Sequence, residues 1–218
     1  MEKEHGEEVE FPYWHSKWRI DPPTFGISWV KTMMWLFLLS DALTFAGMLG
    51  GYAVMRLASG NWPNALHIFE HMPFTHFKAP LFFVGVMTFI LICSSGFMVL
   101  AVAAAQQKDR ALTIKWLMIT AITGAIFLGC QAIEWVNLIH EGANLVHNPW
   151  GAANWGACFF IITGFHGLHV TIGVLYLFGI ALKTKRNTSS HEGVEICGLY
   201  WHFVDLVWVF IFTFLYLL

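Results

Sequence analysis

Long apolar segments alternate with short polar links along most of this 218-residue chain. A helix needs about 20 apolar residues to cross a hydrocarbon layer ~30 Å thick, and five segments are long enough. They run over Trp29–Arg56, Pro80–Gln106, Ile114–His140, Trp155–Lys183 and Val194–Leu218. These segments lack the two-residue alternation of a barrel strand, and helices satisfy their backbone amides internally. The pattern predicts an all-α, polytopic transmembrane bundle of five helices, whose short later links make neighbouring helices antiparallel.

The first 28 residues differ in character from the predicted bundle. Pro12, Pro22 and Pro23 interrupt any helix there. The opening MEKEHGEEVE is acidic and hydrophilic, whereas a cleavable signal has a basic start and an apolar core. We therefore expect the first transmembrane helix to drive insertion. The predicted organisation is a polar cytoplasmic arm over residues 1–28 and a membrane domain over residues 29–218.

Composition supports a lipid environment and limits the classes of function. Hydrophobic residues make up 57% of the chain and charged residues 12%, where a soluble domain has about 25% charged residues. The 11 tryptophans suit aromatic belts at the membrane surface. A formal net charge of −2 does not favour nucleic acid as a partner. The four cysteines lie apart in apolar segments without CxxC spacing, which argues against a thiolate zinc site.

The basic residues predict how the bundle is oriented. Two of the twelve lie on one side of the predicted helices, Arg56 and Lys78. The other ten lie on the opposite side: Lys3, Lys17, Arg19, Lys31, Lys108, Arg110, Lys115, Lys183, Lys185 and Arg186. Because lysine and arginine are retained in cytoplasmic loops, we expect a cytoplasmic N-terminus and a C-terminus outside.

Several polar side chains lie inside the predicted helices. Burying such a group at membrane depth is costly, so each is expected to have a hydrogen-bond partner or a functional role. They are Asp41 on the first helix and three pairs spaced three residues apart, Gln131 with Glu134, His166 with His169, and His202 with Asp205. This spacing puts each pair on one helix face. We expect these faces to point inward and form a structural hydrogen-bond network. Gly47 and Gly51 form a GxxxG step, which predicts close approach of a neighbouring helix.

Metal or haem ligation is the alternative interpretation of the histidines. His166, His169 and His202 are the candidates for haem iron, although two of them share one helix face rather than facing each other across a cavity. A second set, His67, His71 and His76, lies in the predicted outer loop, where histidines are more often solvated than bound to zinc. The sequence shows no catalytic constellation and no glycine-rich phosphate loop.

Four segments resemble the cytochrome c oxidase subunit III family. They are SSG at Ser94–Gly96, QAIEW at Gln131–Trp135, TGFHGLHV at Thr163–Val170 and YWHFVDLVW at Tyr200–Trp208. They occur in the order found in that family, and the resemblance extends from about Trp29 to the C-terminus. Asp41 stands where the family usually has a glutamate after the preceding serine.

The resemblance implies a subunit that holds no haem, copper or other metal and has no active site of its own. Haem and copper are expected in partner subunits, with this chain packed beside catalytic subunit I and subunit II in a bacterial inner membrane. It also implies bound phospholipid and support of proton uptake and stability. The residues assigned to buried polar or lipid-cleft positions are Asp41, Gln131, Glu134, His166, His169, His202, Asp205 and Arg56. Longer members have two further N-terminal helices that complete a V-shaped lipid cleft, so the cleft is expected to be incomplete here.

Three alternatives to a cytochrome c oxidase subunit remain at this stage. A quinol oxidase subunit III would share the same features, since the donor site is implied to lie on other subunits. A b-type membrane cytochrome would use the histidines above as ligands. A small transporter would be expected to show internal repeats and interrupted helices, which the sequence lacks. The arm before Trp29 is interpreted as a candidate contact with another respiratory complex.

Overall fold

The computed structural model describes residues 28–69, 81–152, 154–186 and 190–218. Within these ranges the helices are α1 Trp29–Ala58, α2 Ala65–Ile68, α3 Phe82–Gln106, α4 Arg110–His140, α5 Asn154–Lys185 and α6 His191–Ile211, which continues as a π-helix over Phe212–Leu217. The five long helices α1 and α3–α6 are long and apolar enough to cross a membrane, which confirms the predicted five-helix bundle. The arm of residues 1–27, His71 and His76 lie outside the described residues.

Polar caps mark the starts of three of the long helices. Ser28, Asp109 and Ser190 precede α1, α4 and α6, and each side chain accepts the backbone N–H three residues later at 3.1–3.2 Å. Such caps satisfy amides that lack a partner within the helix. For this reason α4 begins at Arg110 rather than at the predicted Ile114, and α6 at His191 rather than Val194.

The helices run alternately up and down. α4 packs against α3 and α5, α6 packs against the same two helices, and α1 lies at the edge against α5 and α6. At one end, Lys31 Nζ lies 2.7 Å from Glu195 Oε1 and joins the starts of α1 and α6. At the opposite end, the N–H of Ala152 donates to the carbonyl of Asn61 at 3.0 Å. Consecutive long helices are therefore antiparallel, as the short links predicted.

One end of the bundle, here called the basic end, is formed by the starts of α1, α4 and α6 and the ends of α3 and α5. The described basic residues at that end are Lys31, Lys108, Arg110, Lys115, Lys183, Lys185 and Arg186, while Arg56 lies at the opposite end. The fold thus separates the described cations as the sequence pattern indicated. That the basic end faces the cytoplasm stays a prediction.

Trp201 is at the centre of the packing between α4, α5 and α6. Its side chain is fully buried, and its ring lies against Gly124 of α4 and Gly173 of α5. A Cβ atom at Gly173 would be 2.9 Å from two ring carbons, and one at Gly124 would overlap the ring edge. These two glycines allow a large aromatic side chain to fill the space between three helices.

The predicted close approach at Gly47 and Gly51 is wrong within the described part of the chain. Both glycines are exposed, and a Cβ built at either position meets nothing within 4 Å. α1 instead packs through a stripe that includes Phe45, Leu49 and Tyr52. Gly47 is two residues from Phe45, or about 200° around the helix, so the stripe that buries bulky apolar surface turns the glycines away from the bundle.

Candidate functional site

The structure places most of the predicted polar residues in the bundle interior. The side chains that are at most 7% exposed are Asp41, Gln131, Glu134, His166, His169 and Asp205. His202 and Arg56 are half-buried. These residues are divided among several separate contacts between helices rather than gathered at one site.

Asp41 of α1 pairs with His169 of α5. The distance from Asp41 Oδ1 to His169 Nε2 is 3.3 Å, and His169 Nδ1 lies 2.8 Å from the carbonyl oxygen of Phe165. A carbonyl only accepts hydrogen bonds, so Nδ1 must carry a proton. The other ring nitrogen, Nε2, faces the carboxyl group of Asp41. This contact fixes α1 to α5.

Aromatic rings enclose the Asp41–His169 pair. The ring of Phe45 lies 5.6 Å from the His169 ring and that of Phe165 lies 4.6 Å from it, both in edge-to-face arrangements. Tyr200 of α6 donates its hydroxyl proton to the backbone carbonyl of His169 at 3.0 Å. The pair is thus shielded by apolar surface, which strengthens electrostatic attraction but makes loss of either partner costly.

Glu134 of α4 binds the C-terminal segment. The hydroxyl of Tyr216 donates to Glu134 Oε2 at 2.8 Å, and both side chains are buried. Tyr216 lies in the π-helix, where the N–H of Leu218 bonds to the carbonyl of Thr213, five residues back. The wider turn of a π-helix changes the direction of its side chains relative to a continuing α-helix. The wide turn is therefore the local feature that directs Tyr216 into the bundle.

His166 is packed between aromatic side chains. It is fully buried and stacks on Trp208, with ring centroids 5.1 Å apart, and Phe127 meets it edge-on at 5.9 Å. Neither ring nitrogen has a hydrogen-bond partner among the described residues, and the same holds for the side-chain amide of Gln131. The indole N–H of Trp208 donates to Thr88 Oγ1 at 3.0 Å, which holds the stacked ring in place.

Two consecutive serines connect α3 to α6. Ser95 Oγ lies 2.6 Å from His202 Nδ1, and the indole N–H of Trp201 donates to Ser94 Oγ at 3.0 Å. Ser95 also lies beside Asp205, although neither carboxyl oxygen of Asp205 has a partner with hydrogen-bond geometry in the described chain. The expected cross-helix contact of His202 is present, with a serine as its partner.

An apolar groove runs between α1 and α6. It has a cavity of about 400 Å³, lined by six residues of α1 and by large apolar residues of α6 and the π-helix: Ala42, Phe45, Ala46, Leu49, Gly50 and Ala53 against Phe203, Leu206, Val207, Phe210 and Phe214. A second cavity of about 230 Å³ shares Ala53 and Phe214 and is lined by Arg56. The groove therefore extends along α1 and ends beside a cation.

Comparison with known proteins establishes the family. The sequence model described as "Cytochrome c oxidase subunit III" matches residues 24–218. The chain belongs to the cytochrome c oxidase subunit III family. Cytochrome c oxidase subunit 3 of Thermostichus vulcanus is 37% identical over 187 residues, covering 84% of each chain. Quinol oxidase subunit 3 of Bacillus spizizenii is 36% identical over 189 residues, again covering 84% of each. The Synechocystis cytochrome c oxidase subunit 3 is 37% identical over 187 residues, covering 84% of this chain and 73% of that protein.

The family assignment confirms the resemblance found in the sequence: the protein is a subunit III of a haem–copper oxidase. The segment at Thr163–Val170 supplies His166 and His169, and Tyr200–Trp208 supplies several polar contacts of α6. The characteristic segments of this subunit III thus carry much of the polar contact between its helices.

The sequence did not predict which hydroxyl groups act as hydrogen-bond partners, even for those within the segments that carry the family resemblance. These partners are Thr88, Ser95, Thr163 and Tyr216, of which Thr163 accepts the indole N–H of Trp135 at 3.2 Å. Hydroxyl groups are frequent in membrane helices and usually bond to their own backbone, so their type alone did not distinguish them. Tyr216 lies in an apolar C-terminal run where no periodicity indicated a π-helix.

Proposed function

We propose that this subunit III is a non-redox subunit of its oxidase, with haem and copper held by catalytic subunits I and II beside it. The observation that carries the proposal is the set of protein groups that surround the interior histidines. His169 Nδ1 lies against a backbone carbonyl and Nε2 against the carboxyl group of Asp41, His202 Nδ1 bonds to Ser95, and His166 is enclosed by aromatic rings. An axial haem ligand needs an imidazole nitrogen directed at the cofactor, and this packing supports a structural role instead.

A second observation concerns the binding of metal ions by this chain. Within the described ranges, no three His, Cys, Asp or Glu side chains are grouped closely enough to hold a metal ion. The buried polar residues instead join α1 to α5, α4 to the π-helix and α3 to α6. We infer that Asp41, Glu134, His202 and their partners fix the helix arrangement that the catalytic subunit contacts, and that the proton-uptake role of this subunit depends on that arrangement.

Phospholipid binding is the second part of the proposal. The groove between α1 and α6 extends from Ala42 to Arg56, about 21 Å along a helix, and its lining is apolar. An acyl chain suits such a surface, and the guanidinium of Arg56 suits a headgroup phosphate at the membrane surface.

The location proposed is the bacterial inner membrane, with the basic end in the cytoplasm and the C-terminus outside. The separation of basic residues between the two ends supports this orientation. The arm of residues 1–28 is proposed to contact another respiratory complex.

The electron donor proposed is cytochrome c, and quinol is a second candidate. Relatives named for each oxidase are 37% and 36% identical to this chain over the same share of its length, so identity does not separate them. The donor can be determined by supplying the purified complex with reduced cytochrome c or with a quinol and following oxygen consumption. Oxidation of quinol alone would replace the cytochrome c proposal.

The main experiment is affinity purification of the tagged chain in mild detergent, followed by a reduced-minus-oxidised spectrum of each separated subunit. We expect haem and copper on a large co-purifying subunit. In a strain lacking this chain, the remaining complex should keep its spectrum but lose activity during turnover. Haem on the isolated chain, or immediate loss of all haem on its deletion, would contradict a non-redox role.

A further inference from the structure

Four helix ends surround a polar cavity at the basic end of the bundle. The cavity measures about 300 Å³ and lies between the end of α3, the start of α4, the end of α5 and the start of α6. Its exposed lining includes Lys108, Arg110 and His191, and its buried lining includes the hydroxyls of Thr113 and Thr184. This volume is at the lower end of the range for small-molecule pockets, about 300–1,000 Å³, and is polar where the groove beside α1 is apolar.

The electrostatic surroundings favour an anion. Lys108 and Arg110 both line the cavity, and these two cations carry the argument, because the positive dipole ends of α4 and α6 are offset by the negative ends of α3 and α5. The neighbouring acidic groups are Asp109 and Glu192. Asp109 Oδ1 is engaged as the cap of α4, accepting the N–H of Leu112 at 3.1 Å, and neither acid lines the cavity.

More distant charges do not reverse this balance. The carboxylate of Glu195, one turn into α6, is paired with Lys31 at 2.7 Å. The end of α5 adds further cations, Lys183, Lys185 and Arg186. Basic groups therefore exceed acidic groups around the mouth of the cavity.

Lys108 adopts a backbone conformation that lysine normally avoids. Its φ angle is +60°, in the left-handed region that glycine enters most readily. The N–H groups of Lys108 and Asp109 bond to the carbonyls of Ala105 and Ala104, both at 3.1 Å, which is the pattern that ends many helices with glycine at this position. A lysine here stores strain where glycine would not, and it brings an ammonium group to the cavity.

The buried hydroxyls add hydrogen-bond acceptors to the lining. Thr113 donates to the carbonyl of Asp109 at 2.6 Å, and Thr184 donates to that of Ile180 at 2.8 Å. Each hydroxyl proton is therefore used, while lone pairs on each oxygen remain to accept. Cations together with such acceptors match a phosphate ester that carries its own hydroxyl groups.

We propose that this cavity is a phosphate-binding site, in which the guanidinium of Arg110 and the ammonium of Lys108 bind the phosphate oxygens. Arginine can bind two oxygens in parallel, and lysine binds as a point charge. The phosphate belongs either to the headgroup of an anionic phospholipid or to a free phosphate compound of the aqueous phase. The site is separate from the groove that ends at Arg56, and it does not depend on the electron donor or on the non-redox role.

The test uses the purified oxidase and three single variants, Lys108→Gly, Arg110→Gln and Lys115→Gln. Lys115→Gln is the matched control, because Lys115 is an exposed cation at the same end whose ammonium lies over the ring of Trp116, 5.6 Å from its centroid. One arm measures retention of phosphatidylglycerol against phosphatidylcholine in nanodiscs by native mass spectrometry. The other titrates inorganic phosphate into delipidated complex in detergent and follows the thermal midpoint of this chain.

We expect Lys108→Gly and Arg110→Gln each to weaken binding about 10-fold or more in one arm, as loss of a charge-assisted hydrogen bond predicts. Lys115→Gln should change binding less than twofold. Lys108→Gly should also raise the thermal midpoint of ligand-free protein, since glycine relieves the left-handed strain. That opposite effect separates lost binding from lost folding.

The two arms identify the source of the phosphate. An effect confined to the nanodisc arm assigns a phospholipid headgroup, and an effect confined to the detergent arm assigns a soluble phosphate compound. Equal binding by wild type, Lys108→Gly and Arg110→Gln in both arms would overturn the proposal. An equal loss in Lys115→Gln would also overturn it, because binding would then reflect the general charge of the basic end.

Discussion

Replacing Gly124 by alanine tests the packing of Trp201 directly. The added methyl group would overlap the Cη2 edge of the Trp201 ring and lie 2.9 Å from a methyl group of Val174. Trp201 cannot easily move away, because its ring is fully buried, lies against Gly173 on its other side, and donates its indole N–H to a serine of α3. We therefore expect Gly124→Ala to destabilise the contact between α4, α5 and α6.

The expected size of the effect follows from comparison with Gly129→Ala. Gly129 lies on the same helix, and a Cβ there meets nothing within 4 Å. Both substitutions gain the same helix propensity, about 0.5–1 kcal/mol, so their difference isolates overpacking, which typically costs about 1–3 kcal/mol. For a chain of this size a difference of 1 kcal/mol shifts a thermal midpoint by about 2–4 °C. Gly124→Ala should thus unfold about 2–12 °C below Gly129→Ala.

The assay is thermal unfolding of the tagged chain in the detergent-purified oxidase, followed by its loss of protease resistance. A second comparison uses Trp201→Phe, which removes the ring atoms nearest Gly124. In that background Gly124→Ala should cost less than in the wild type, because the methyl group then has space. Equal midpoints for Gly124→Ala and Gly129→Ala would refute the packing described for Trp201.

Two further predictions concern the buried polar contacts. Tyr216→Phe removes the hydroxyl that bonds to Glu134, and leaving that buried carboxyl group without a partner should lower stability by about 1–3 kcal/mol. Asp41→Asn and His169→Gln should each destabilise by about 1–3 kcal/mol, because each disturbs a buried polar contact, while the double variant should be less destabilised than their sum. The same unfolding assay measures both.

These predictions have distinct contrary results. If Tyr216→Phe unfolds at the wild-type temperature, the π-helix does not hold the C-terminal segment through Glu134. If the effects of Asp41→Asn and His169→Gln simply add, the two side chains do not interact, and the contact between α1 and α5 must depend on apolar packing.

The bundle itself could be predicted because membrane insertion imposes a strong local requirement. A span must be apolar for about 20 residues, so the five helices were visible without any knowledge of their partners. The three-residue spacing of Gln131 with Glu134 and of His166 with His169 likewise indicated shared helix faces, and all four side chains are buried. The caps Asp109 and Ser190 explain why α4 and α6 begin before their apolar segments do.

Which groups meet across helices could not be predicted in this way. The GxxxG step of α1 was expected to contact a neighbour, yet Gly47 and Gly51 are exposed. The faces of a membrane helix differ less in hydrophobicity than the faces of a helix in a soluble protein. The shape of the packing surfaces therefore decides which face is buried. The pairing of Asp41 with His169 joins residues that lie 128 positions apart, and no local pattern encodes it.

By itself, the sequence determined that this protein lies in a lipid bilayer, that it has five membrane-spanning helices, and to which family it belongs. Those properties depend on hydrophobicity over each segment and on short motifs, both of which are local. Only the tertiary structure decided that Tyr216 bonds to Glu134, that Ser95 bonds to His202, and that four helix ends enclose a basic cavity. These features depend on helix rotation and register, which are set when all five helices pack together.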